Sequence, residues 1–141
     1  SRSPMQWDKT LNAGFSLASP EKLYIKQDES DDRPDAESQI ADENSLYNEI
    51  RKLISIRRSH SALGNNSEIE FIYAEKNEYP LAFIRSSEDE KILVIINPAD
   101  REVSFPCEYK PKEVVYSFGR EIAYEDKKIT VPPCSAGFYR V

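Results

Sequence analysis

Carboxylates are the first chemistry this sequence offers, because 25 of its 141 residues are Asp or Glu. A pair of carboxyls about 5 to 9.5 Å apart can act as acid, base or nucleophile on a glycosidic bond. The densest group is Asp28-Glu29-Ser30-Asp31-Asp32. No apolar residue lies within it to raise one pKa above the other, so it reads as a solvated loop. It also lacks the central glycine and the distal glutamate of a calcium-binding EF-hand loop. No serine sits in a Gly-x-Ser-x-Gly elbow, and no glycine-rich phosphate loop occurs. His60 is the single histidine and follows Arg57 and Arg58, a setting that suits a structural role. Cys107 and Cys134 are too few for a disulfide framework or a zinc site. They read as small half-buried residues on strands, bridged only if those strands are neighbours.

The elements that must position these residues fall into three zones. Residues 1–44 hold Pro4, Pro20, Pro34 and the acidic run, and show no periodicity. A stretch that long without regular structure usually serves a site or drapes over another surface. Residues 45–60 read as a helix with Ser45 as N-cap. Leu46, Ile50, Leu53 and Ile54 form its apolar stripe, and the arginines gather at its C-terminal end, where the dipole favours them. This stripe is expected to dock on the following domain or to mediate self-association, since bare apolar faces favour association. From about residue 67 the period becomes two. Lys91–Asn97 is nearly all apolar, which predicts a central strand buried on both faces. About seven or eight short strands separated by turn residues predict an antiparallel β-sandwich. The aromatics Tyr73, Phe83, Tyr109, Tyr116, Tyr124 and Tyr139 sit at strand positions suited to packing, with sugar stacking as the alternative. The fold class is therefore mostly β, one helix and a long irregular segment preceding the sandwich.

The formal net charge of −6 disfavours nucleic acid and anionic membrane as partners. No run approaches the ~18 apolar residues needed to span a bilayer. The first residues show no charged-then-apolar secretory pattern, and a cytoplasmic bacterial location is the expectation.

The most specific motif is Ser1-Arg2-Ser3-Pro4-Met5-Gln6-Trp7-Asp8, followed by Asn12-Ala13-Gly14-Phe15-Ser16. It closely resembles the Arg-(Ser/Thr)-Pro-Met-Gln-Trp segment of glycoside hydrolase family 13, in its α-glucosidase, oligo-1,6-glucosidase and trehalose synthase branch. Asp35–Gln39 with Asp42–Leu46 resembles the lead-in to the family's last barrel helix, and Ile50–Leu63 resembles that helix. The resemblance implies that 1–44 ends a catalytic barrel, 45–63 is its last helix, and 64–141 is the C-terminal sandwich called domain C. It implies an α-glucan or oligosaccharide substrate and no cofactor or metal. It also places the nucleophile, the acid/base and the third carboxylate earlier in the chain, so none is expected here and the segment alone should be inert. Arg2 is the one residue the resemblance connects to substrate, at the first glucose subsite of an intact enzyme. Met5 and Trp7 read as loop packing.

Overall fold

The computed structural model describes residues 3–141. The chain divides into two compact units, Ser1–Ile54 and Ser55–Val141, and the division falls inside one helix.

The first unit is built of turns and short helices. Two 3-10 turns, Leu11–Gly14 and Pro20–Lys22, precede α1 (Ala36–Ala41) and the start of α2 (Leu46–Ser59). No periodic signal marks α1 in the sequence. It forms because Asp35, in extended conformation, caps it by accepting from the Ser38 amide at 2.8 Å. Ser45 opens α2 as expected: its hydroxyl accepts from the Asn48 N–H at 3.2 Å. The Asn48 side-chain amide donates to the carbonyls of Gln39, Ile40 and Asp42, at 2.9 to 3.2 Å. The orphan carbonyls at the end of α1 are thus satisfied by the start of α2. On α2, Leu46 is 72% exposed, and Ile50 and Ile54 are each 48% exposed. With the neighbouring Tyr47 they leave an open apolar groove.

The second unit is an antiparallel sandwich of eight strands. The strands are β1 (Glu68–Tyr73), β2 (Leu81–Ser86), β3 (Lys91–Asn97), β4 (Val103–Pro106), β5 (Glu113–Phe118), β6 (Ala123–Glu125), β7 (Lys128–Val131) and β8 (Ser135–Arg140). The larger sheet runs β1-β2-β3-β8-β5 and the smaller β4-β7-β6. Ala82, Ile84, Leu93, Ile95 and Tyr139 of the larger sheet meet Phe105, Ile129 and Val131 of the smaller one in a buried core. The other face of β3 also buries Ile92 and Val94, against Ala62 and beside Phe83, Ile96 and Phe138. Two buried faces explain why β3 is apolar at nearly every position.

The expectation for the cysteines needed correction. β6, within the expected seven or eight strands, carries no apolar alternation because it is only three residues long. It is joined to β7 by Asp126 and Lys127, both in the left-handed region, φ 48° and 59°. Positive φ at both turn residues matches the twist of a two-residue hairpin, a place normally signalled by Asn-Gly. The cysteines lie beside strands, not on them. Cys107 follows β4 and is buried; Cys134 precedes β8 and is exposed, with φ 47°. Both are free thiols. Burial raises the Cys107 pKa above the ordinary thiol value, against a weaker opposing contribution from the Tyr109 backbone.

Candidate functional site

The motif residues of the first unit form a folded loop whose logic is mainly backbone. Along Met5-Gln6-Trp7-Asp8 the residues alternate between exposed and half-buried. Gln6 and Asp8 turn partly inward, while Met5 and Trp7 are each about half exposed. Loop packing was the expectation for Met5 and Trp7; within this unit their partner is largely solvent. The Gln6 and Trp7 carbonyls accept from the Ala36 and Glu37 amides, each at 2.9 Å, which anchors the segment to the first turn of α1. The Trp7 N–H donates to the Ala13 carbonyl at 2.8 Å, closing a tight reversal.

That reversal explains why Asn-Ala-Gly follows the tryptophan. Asn12, Ala13 and Gly14 all have positive φ, at 53°, 53° and 70°. Asn tolerates this region, and here its side-chain amide donates to the carbonyls of Ser16 and Ala18 at 2.8 and 2.7 Å. Ala13 is fully buried, leaving no room for a larger side chain. A Cβ on Gly14 would lie 2.6 Å from the Asp8 carboxylate. Asp8 is fixed there by accepting from the Thr10 hydroxyl and amide, which hold its pKa below the ordinary value.

Arg2, the residue connected to substrate by resemblance, lies outside the described residues. The acidic run 28–32 is exposed, and the Asp28 carboxylate turns back to accept from the Ser30 hydroxyl and amide. Among the described residues no group of three or more His, Cys, Asp or Glu could hold a metal ion. Of the six aromatics expected at strand positions, Tyr109 lies instead between β4 and β5; all six are buried or half-buried, and Tyr73 and Tyr116 pack at a tilt on Phe105 and Phe138 with ring centroids 5.5 and 5.0 Å apart. The large exposed aromatics of the sandwich are others: Phe71, Tyr79 and Phe118.

A charged cluster that the sequence did not disclose lies in the second unit. His60 Nδ1 donates to Glu90 Oε1 at 2.7 Å, and Arg140 Nε donates to the same oxygen at 3.0 Å. The Ala62 N–H reaches the other oxygen at 3.3 Å, and Arg140 also bonds Glu113 at 2.8 Å. The Glu90 and His60 side chains are only 11% and 16% exposed. Burial pushes the Glu90 carboxyl up, but the bonds from His60, Ala62 and Arg140 together outweigh it, and its pKa lies below the ordinary value. His60 thus has the structural role expected of it, tying the residue after α2 to the turn before β3. The partners are separated by 30 and 50 residues, so no local spacing could have revealed them.

Two family models tile the chain: the α-amylase catalytic domain matches residues 1–66, and the maltogenic amylase C-terminal domain matches residues 69–137.

The chain belongs to the α-amylase family.

Its curated relatives in that family include an oligo-1,6-glucosidase of Parageobacillus thermoglucosidasius, 28% identical over 99% of this chain and 25% of the relative. A trehalose-6-phosphate hydrolase of Bacillus subtilis is 32% identical over 74% of this chain and 18% of the relative. Among solved structures, the trehalulose synthase MutB of Pseudomonas mesoacidophila matches with a TM-score of 0.81 at 27% identity, covering 99% of this chain and 25% of that one. The chain therefore spans about a quarter of the length of the α-amylase-family relatives it matches. The boundary between the matched models, near residues 66–69, falls just before β1.

Proposed function

We propose that this chain is the C-terminal part of a retaining α-glucosidase-type glycoside hydrolase acting on short α-linked gluco-oligosaccharides, and that alone it performs no hydrolysis. On this reading residues 1–44 end the catalytic barrel, 45–63 supply its last helix and 64–141 form the domain that follows. Arg2 serves the first glucose subsite of the intact enzyme. The observation that carries the reading is the Met5–Gly14 loop. The family motif is present in order, and each of its unusual backbone positions is satisfied by the residue the motif specifies. The inward-facing carboxylates of the described residues are already committed: Glu90 to His60, Ala62 and Arg140, Asp35 to Ser38, and Asp8 to Thr10.

The test compares two proteins on an aryl α-glucoside. The 141-residue chain is expected to release no aglycone, and the longer parent that contains the rest of the barrel is expected to turn over. Turnover by the chain alone would refute the reading. A second outcome for the parent is favoured by the likeness to trehalulose synthase: the retained glycosyl intermediate can pass to a sugar hydroxyl as well as to water. Product analysis with sucrose separates transfer from hydrolysis.

The same reading assigns the open face of α2 to the missing part of the catalytic domain. Without that part, Leu46, Ile50, Leu53 and Ile54 mediate self-association of the chain, as an uncovered apolar stripe favours. Sedimentation velocity is expected to show dimers that the double substitution Ile50→Lys, Ile54→Lys converts to monomers. A wild-type chain that stays monomeric at high concentration would contradict this.

A further inference from the structure

The two sheets of the sandwich differ in what they turn outward. Residues directly opposite each other in an antiparallel pair share a face. In the smaller sheet the outward pairs are polar: Ser104 opposite Thr130, with hydroxyls 3.0 Å apart, and Glu125 opposite Lys128. Such a face is at home in water. In the larger sheet the outward row is apolar from one edge strand inward. Phe71 lies opposite Phe83, Phe83 opposite Val94, and Val94 opposite Phe138. Ile69 is two residues before Phe71 on the same strand and so shares its face. Phe118, on the other edge strand, joins this face through Ala136, which lies opposite both it and Ile96. Ile69, Phe71 and Phe118 are 51%, 60% and 54% exposed.

The middle of this face already has a cover, and the cover points to what belongs on the rest. Ala62, in the turn after α2, is fully buried against Ile92 and Val94. Polar contacts hold that turn in place: Ser61 Oγ lies 2.7 Å from Ser87 Oγ, and Arg85 Nη2 donates to the Gly64 carbonyl at 2.6 Å. Residues 61–64 fall within the stretch that matches the α-amylase catalytic domain, which ends at residue 66. The end of the catalytic-domain match is thus already seated on the sheet, and the exposed side chains extend to both sides of it. The relatives carry about three-quarters of their length outside the region this chain spans. An apolar face continuous with a seated piece of one domain is suited to the remainder of that domain.

We propose that the outer face of the larger sheet is the docking surface for the rest of the catalytic domain, and that Ile69, Phe71 and Phe118 are buried in that contact. The inference rests on the proposed function in taking a catalytic domain to precede this chain. It adds the side of the contact that the sandwich supplies, and with it a role for the sandwich in stabilising the enzyme.

The test places Phe71→Ser and Phe118→Ser, singly, in the 141-residue chain and in the longer parent. In the chain both rings are already more than half in water, so its folding equilibrium in urea is expected to move no more than about threefold. In the parent each substitution removes a ring from the contact, and thermal unfolding followed by circular dichroism is expected to run about 10-fold faster. An unchanged rate in the parent, or an equal loss in parent and chain, would overturn the proposal. Chain dimers that either substitution converts to monomers, beside an unaffected parent, would also overturn it, because the occupant would then be a second copy. Should Phe71→Ser unfold the chain, Phe118→Ser on the opposite edge strand decides. A parent that unfolds faster as expected, yet does not cleave the aryl α-glucoside, would overturn the functional reading and leave the docking surface standing.

Discussion

Replacing Glu90 by Gln keeps the shape of the side chain and removes its charge. In the native cluster one carboxylate receives a bond from His60, a bond from Arg140 and a longer one from the Ala62 amide. Hydrogen bonds to a charged group contribute about 1.5–3 kcal/mol each when both partners are dry. Arg140 is nearly half exposed and can be rehydrated, so its share is discounted. His60 and Glu90 are mostly buried; a Gln oxygen can accept from His60 and Arg140 only as a neutral acceptor, and the amide nitrogen that replaces the other oxygen cannot accept from the Ala62 N–H. The expected cost at pH 7 is therefore about 2–3 kcal/mol. The pH dependence has a definite sign. The Glu90 pKa in the folded protein lies below its ordinary value, so its stabilisation is complete above the unfolded carboxyl pKa, about 4.3. It is lost as pH falls through the lower folded value. Urea unfolding followed by circular dichroism at pH 7, 5 and 3 measures this directly. The wild type should lose its advantage between pH 5 and pH 3, and the variant curve should be flatter. An equal stability gap at pH 7 and pH 3, or none at pH 7, would refute the reasoning.

Two further substitutions probe the units separately. Phe105→Ala removes a fully buried ring between the two sheets that also stacks on Tyr73, and should cost about 3–5 kcal/mol by thermal denaturation. A loss under about 1 kcal/mol would mean the sheets collapse to fill the space. Gly14→Ala places a methyl group against Asp8 at a left-handed position, which should cost about 1–2 kcal/mol for the φ alone. Because Trp7 donates across the same turn and is the only tryptophan, its fluorescence and the hydrogen exchange of residues 6–15 should report the loosening, while the sandwich stays protected.

The parts legible in the sequence were those encoded within a few residues. Lys91–Asn97 announced a doubly buried strand because both faces of β3 are covered, one by the smaller sheet and the other beside Ala62. Ser45 announced the start of α2 because a cap acts three residues away. The Ser1–Asp8 motif with Asn12-Ala13-Gly14 after it pointed to the family, although only the structure reveals that Asn12, Ala13 and Gly14 reverse the chain through three consecutive left-handed residues. What stayed hidden depends on long separations or on weak local signals. Glu90 looked like one of many surface acids until the fold brought His60 and Arg140 to it. α1 is too short for its apolar spacing to register, and β6 is too short to alternate.

The order of strands in the larger sheet sets a timetable for the making of this protein. β8 lies between β3 and β5, and it is last in the chain. As the polypeptide is synthesised, β3 emerges with one edge unpaired and β5 with both, and residues 135–140 then pair one edge of each. Open strand edges are templates for pairing with other chains. Arg140, which bonds both Glu90 and Glu113, arrives with the same strand. Completion of the sheet and of the charged cluster is thus a single late event. A stalled or shortened chain ending before Ser135 would hold seven of the eight strands, two of them with edges prepared for the wrong partner.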